Sequence, residues 1–468
     1  MENEPPPQRP FAPIRLANRC LPGLWRSRML PEPELIEAEL METAAAQAGL
    51  SDFGDPWFRA PLRRLLEALR EEADLNPVGR IVTRIQILKL LKERLRAQRW
   101  FTAWPETRRH RLGAPVVIIG PMRSGTTRLH RLLAADACFA HIRMFETFSP
   151  VPPWSDPPGA LPDHRHRFAA FSLGLLHRAD PDTAIIHPTG PHEPEEELGL
   201  FVPSAWGMKN EVQWRVPSYA RWCEAQDATP AYRAMADLLR LVAWHRGEPP
   251  GRRWVLKTPQ HMLDLPALLT VFPDAKLIFL HRDPAAVVGS TCSHVWHQMA
   301  TQCDSLDRRW IGREWLRKTQ LKLERVRAVR PRLRPEQAID VHYEDMNRDW
   351  QGELERIYRF LDMDIGPALP AMRAYLERCE RNGAFRTHRY DLSWFGLEAG
   401  EVRERLADGA EPAEATGLPR PTQDRRASPP RHAVGAAAAP GAEVGDPIRG
   451  PPSAGLPAGS CHNRSGSA

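Results

Sequence analysis

Val116-Val-Ile-Ile-Gly-Pro-Met-Arg-Ser-Gly-Thr-Thr127 runs straight into Arg128-Leu-His-Arg-Leu-Leu133. The β-branched run Val116 to Ile119 reads as a buried strand, and Leu129, Leu132 and Leu133 recur at helical spacing behind a loop of small residues. This succession is the build of an anion cradle. Glycines let the backbone approach an oxyanion closely, and the first N–H groups of the helix, lacking intrahelical partners, aim their positive ends into the loop. Gly120 and Gly125 stand at the G-x-x-x-x-G spacing of a nucleoside-triphosphate loop. Such a loop continues with a Lys that reaches the β- and γ-phosphates. Here the position holds Thr126, and the nearby cation is Arg123, inside the loop. The bound group is accordingly an anion other than the tail of a triphosphate.

Pro121-Met-Arg-Ser-Gly-Thr-Thr127 resembles the 5′-phosphosulfate loop of sulfotransferases that use 3′-phosphoadenosine 5′-phosphosulfate (PAPS), Pro-x-(Lys/Arg)-Ser-Gly-(Thr/Ser)-Thr. A second half of the pattern follows downstream, where Lys276-Leu-Ile-Phe-Leu-His281 reads as a buried strand and Arg282 to Ser290 as a turn and helix. Arg282 and Ser290 match the two residues that hold the cofactor's 3′-phosphate in that family. Their chemistry suits the task, because a guanidinium fork and a hydroxyl can satisfy several oxygens of one phosphate. The resemblance spans roughly residues 111 to 400 and follows the bacterial-type branch with the Arg form of the loop.

The resemblance implies sulfuryl transfer from PAPS, without a metal, to a hydroxyl or amine of a small-molecule, lipid or glycan acceptor. In-line attack needs a base for the acceptor proton and cations or N–H dipoles for the charge that builds on the leaving phosphate. Arg123, with Ser124, Gly125, Thr126 and Thr127, matches the donor loop, and Lys257, at the end of Arg253-Trp-Val-Leu-Lys257, resembles a family lysine near the sulfuryl group. Glu146, shortly after the loop helix, is the leading candidate for the base, at a distance similar to that of the family's catalytic Glu. Glu195, Glu196 and Glu197, after Pro194, compete, although Pro followed by acids is also an ordinary helix start. Asp345 reads as a helix cap, and His388-Arg389-Tyr390 as a segment able to close over the 3′-phosphate side. His294 and His297 lie one helical turn apart, but no acid or cysteine stands at ligand spacing beside them. A P-loop nucleotide kinase-like enzyme is the alternative, disfavoured by Thr126 and by the lack of a clear strand-terminal Asp for magnesium; a non-catalytic nucleotide-binding relative is the other.

Short apolar strands alternating with helices call for an α/β fold, a P-loop-like parallel sheet flanked by helices, with ligands at the carboxyl ends of the strands. The organisation expected is an irregular arm over 1–30, an N-terminal helical subdomain over 31–110, the sulfotransferase-like α/β domain over 111–400 and a disordered Pro/Ala/Gly-rich tail over 401–468, which has no aromatic residue after Phe395. The 64 basic residues against 58 acidic leave +6, suited to an anionic ligand and too little to imply a nucleic-acid surface. Seven scattered cysteines without a CxxC pair read as reduced thiols. With no signal peptide and no bilayer-length apolar run, a cytoplasmic enzyme is expected.

Overall fold

The computed structural model describes residues 12–159, 162–179, 187–381 and 390–407. Its centre is a wholly parallel sheet of five strands, β1 (Val116–Ile119), β2 (Phe139–Ala140), β3 (Arg253–Lys257), β4 (Lys276–His281) and β5 (Ala338–His342), in the order β2-β3-β1-β4-β5. β1 is the central strand, so the loop that follows it opens at the middle of the sheet, between the ends of β3 and β4. The order changes direction on the two sides of β1, and such a switch point leaves a crevice at the carboxyl ends of the strands.

The alternation of side chains along β1 divides the core. Val117 and Ile119 join Leu256, Leu277 and Phe279 against the helix Thr229–His245 and the N-terminal helices. Val116 and Ile118 join Val255, Ile278 and Val341 against Leu129, Leu132 and Leu133 of the loop helix and against the helices Trp350–Phe360 and Leu369–Arg381. Both faces are covered, which is why the strands read as continuous apolar runs. A third cluster surrounds the helix Pro284–Ala300, whose Val288, Cys292 and Val295 pack on Ile311, Trp315 and Phe395.

The expected N-terminal helices are Glu37–Ala48, Arg59–Glu71 and Pro77–Ala103. Asn76-Pro77 starts the last of these: the Asn76 side chain accepts from the Gly79 N–H at 2.7 Å, and Pro77 takes the first position, where no N–H is needed. Leu40, Leu62, Leu91 and Trp100 belong to the same buried cluster as Val117 and Leu277, so these helices share a core with the sheet rather than closing their own.

Four expectations need correction. The arm is not irregular throughout, because residues Ala12–Arg26 form a helix with no buried residue. The packed chain does not end at 400: Ala399–Ala407 is a helix whose Val402 and Leu406 are buried in the third cluster, and the rest of the expected tail lies outside the described residues. Asp345 is not a cap, since the helix Tyr343–Arg348 already begins two residues earlier and Asp345 pairs with Arg348 inside it. Cys20, Cys223, Cys292, Cys303 and Cys379 are free thiols, but Cys138 is disulfide-bonded. The two-residue strand β2 was too short to be read from periodicity.

Candidate active site

Gly125 makes the loop possible. Its φ of +94° lies in the left-handed region, and a Cβ placed there would come within 2.7 Å of the Tyr343 ring. Arg123 also adopts positive φ, +68°, without being glycine, a conformation that costs about 1–3 kcal/mol and persists where surrounding contacts dictate it. Those contacts are specific. Arg123 Nε donates to Ser290 Oγ at 3.0 Å, and Arg282 donates to the Arg123 carbonyl at 2.6 Å while its guanidinium lies 4.0 Å from the centre of the Tyr343 ring. The Ser124 hydroxyl donates back to the Pro121 carbonyl at 2.7 Å, closing the turn, and the helix Thr126–Ala134 starts behind it.

The two sequence half-sites therefore meet: Arg123 and Ser124 from the end of β1, Arg282 and Ser290 from the end of β4. Burial, and then the like charge of Arg282, both push the Arg123 pKa down from its ordinary value. An anion between the two guanidiniums relieves both penalties. The residues fit a phosphate-bearing nucleotide on this ground.

A second group stands at the end of β3. Lys257, almost fully buried, has its Nζ 3.3 Å from Thr127 Oγ1 and 2.5 Å from Glu196 Oε1. Its own backbone N–H donates to Glu197 Oε2 at 3.0 Å. Glu195 accepts from Thr189 and pairs with the His187 ring at 2.8 Å; burial alone would raise its pKa, but His187, Lys257 and Arg131 outweigh this and hold the carboxyl well below the usual range. Glu197 is buried against the His261 ring, which in turn meets the Tyr232 hydroxyl. Of the three carboxylates only Glu196 is both beside the loop and partly open, with 21% of its side chain exposed.

Glu146 has a different setting. It is 1% exposed, both of its oxygens accept from Arg246, and one also accepts from the Arg143 N–H at 2.8 Å in a capping arrangement. A carboxylate so engaged positions the turn after β2 and has three of its roughly four acceptor sites occupied. The Tyr390 ring lies against Gly289, beside Ser290, and its hydroxyl donates to the Ala286 carbonyl at 3.0 Å, whereas His388 and Arg389 lie outside the described residues.

Sequence reasoning missed the part played by Tyr343, which walls the loop at Gly125 and carries Arg282; in that stretch only Asp345 drew attention. It also missed Arg246, which meets Glu146 across 100 residues with no local signal.

A sulfotransferase family model matches residues 115–367. The crystal structure of the sulfotransferase STF1 from Mycobacterium tuberculosis H37Rv is 30% identical, covers 81% of this chain and 100% of its own, and superposes with a TM-score of 0.69. That of STF9 from Mycobacterium avium, 24% identical over 80% of this chain and 95% of its own, shares the fold with a TM-score of 0.68. An omega-hydroxy-beta-dihydromenaquinone-9 sulfotransferase, Stf3, of Mycobacterium bovis is 26% identical over 297 residues, 60% of this chain and 70% of the relative. The loop after β1, its partners at β4 and these likenesses agree, and the chain belongs to the sulfotransferase family, an enzyme that moves a sulfuryl group from a donor to a small-molecule acceptor.

Proposed function

We propose that the donor is PAPS and that the acceptor is a hydroxyl on a lipid-like small molecule. The observation that carries the donor assignment is the knot of Arg123, Ser290 and Arg282, two guanidiniums and a hydroxyl converging beside a glycine-built loop. Ser124, Gly125, Thr126 and Thr127 supply loop and helix-start dipoles for the 5′ side, and Arg282 with Ser290 grips the 3′-phosphate. The lipid-like acceptor rests on the named substrate of the menaquinone-derivative relative.

The reaction forms a bond between the acceptor oxygen and sulfur and breaks the bond between sulfur and the 5′-phosphate oxygen. Lys257 and Arg123 stabilise the charge gathering on the leaving oxygen and the sulfuryl group. Glu196, rather than Glu146, takes the acceptor proton: it is the partly open carboxylate next to Thr127, and as Lys257 turns to the donor's charge its oxygen is released. Glu146 holds Arg246 and the turn after β2.

Thermal shift tests the donor. The nucleotide 3′-phosphoadenosine 5′-phosphate without magnesium is expected to raise the melting temperature, and ATP with magnesium to do little; equal stabilisation by both would favour the kinase-like reading.

A further inference from the structure

One helix carries an apolar stripe that the fold does not use. In Arg165–Ala179 the inward residues Ala169 and Leu173 are buried, whereas Phe168, Phe171 and Leu175 are 49%, 70% and 54% exposed. Their spacing of three and four places them on one face. Exposed arginines bracket the stripe, Arg167 before Phe168 and Arg178 after Leu175. The helix contains no Asp or Glu, and its third arginine, Arg165, is held by Asp163 and by the Ser149 carbonyl. Asp180 and Asp182, which follow in sequence, lie outside the described residues.

We infer that this helix lies in the surface of an anionic lipid bilayer, its two phenylalanines and leucine sunk among the acyl chains and its terminal arginines on lipid phosphates. A basic helix with an aromatic-bearing apolar face is the form that binds such a surface. Charge decides against the other simple occupant, a second copy of this chain, because a two-fold contact over the stripe would bring like-charged arginines together. None of the described helices is long and apolar enough to cross a membrane, so the attachment is to the surface.

The position suits an acceptor drawn from the bilayer. The His166 ring of this helix lies 5.3 Å from that of His192, and Phe145 lies 5.6 Å from the same ring. His192 stands four residues before Glu196 on the segment that bridges Arg143 to Pro194. The docking does not depend on the acceptor reading, but the purpose assigned to it, delivery of a lipid hydroxyl to Glu196, rests on that reading.

Vesicle co-sedimentation of the full chain tests the docking without donor or acceptor, so its failure is separable from failure of the sulfotransferase assignments. Binding is expected to vesicles of phosphatidylcholine mixed with phosphatidylglycerol and to be much weaker with phosphatidylcholine alone. Phe168→Ser with Phe171→Ser and Leu175→Ser should lower it at least roughly tenfold with the unliganded melting temperature retained, since all three side chains are exposed. Arg167→Glu with Arg178→Glu, which leaves the apolar stripe intact, should remove the preference for the anionic vesicles. Ile85→Ser, at an exposed apolar position on another helix, should leave binding unchanged. Absence of vesicle binding by the natural chain, or binding that survives the triple substitution, overturns the proposal. So does a dimer in light scattering that becomes monomer in the triple variant while lipid binding persists, since the stripe would then belong to a protein interface.

Discussion

At the residue scale the site is a matter of which charges can be satisfied together. Arg123 and Arg282 stand close at some electrostatic cost, and an anion bound between them recovers it. Arg282→Ala is therefore expected to weaken a 3′-phosphorylated nucleotide by about 2–5 kcal/mol, the range for stranding a buried charge, while an analogue lacking that phosphate loses little; isothermal titration of both ligands checks this, and matched losses would make Arg282 structural. Turnover separates the candidate bases. Glu196→Gln should lower it by roughly 10²–10⁴ with nucleotide affinity nearly unchanged, whereas Glu146→Gln should act through stability, visible as a fall in melting temperature. Loss of turnover from a well-folded Glu146→Gln with Glu196→Gln still active would return the base to Glu146. Gly125→Ala meets both a left-handed backbone and the Tyr343 ring, so it should cost about 1–3 kcal/mol of stability and the donor-induced shift in melting temperature as well.

At the scale of elements, the strands and the loop were legible because their signals are local: four β-branched residues, glycines at fixed offsets, an Arg at the start of the turn after β4. What a carboxylate does depends on what lies opposite, and that is set by packing. Glu146 is singled out as a base by its distance along the chain, but its partner Arg246, which reaches it from the far end of the helix Thr229–His245, leaves no local signal. The same holds for Lys322 on the long helix Arg308–Val329. Burial first, and then the like charge of Lys318, bring its pKa down to about 7. A base with a native pKa below its unfolded value binds fewer protons when folded, so it makes stability rise with pH between about 7 and the unfolded value near 10. Lys322→Met is accordingly expected to raise the melting temperature at pH 7, by an amount that shrinks as the pH is raised toward 10; no gain at either pH would mean that a polar group near the amine needs it.

At the scale of the molecule, the helix Ala399–Ala407 shows how far the compact part extends. A chain ending at Leu397 loses Val402 and Leu406 from the third cluster, each burial contributing about 1.5–3 kcal/mol, and should melt well below a chain ending at Ala407, as calorimetry of the two would record. Composition announced the change near this point but could not say whether the last apolar residues before it pack. The contact between Arg123 and Ser290 has one more consequence, in time rather than in space. It spans 167 residues, and β1 must pair with β4 before it can form. Parallel strands joined by long crossovers are slow to find each other, because a large loop must close before any bond rewards it. During refolding, then, far-ultraviolet helix signal should return early and nucleotide capture late, and the chain would pass through a stage in which most of its helices exist while the donor has nothing to hold it.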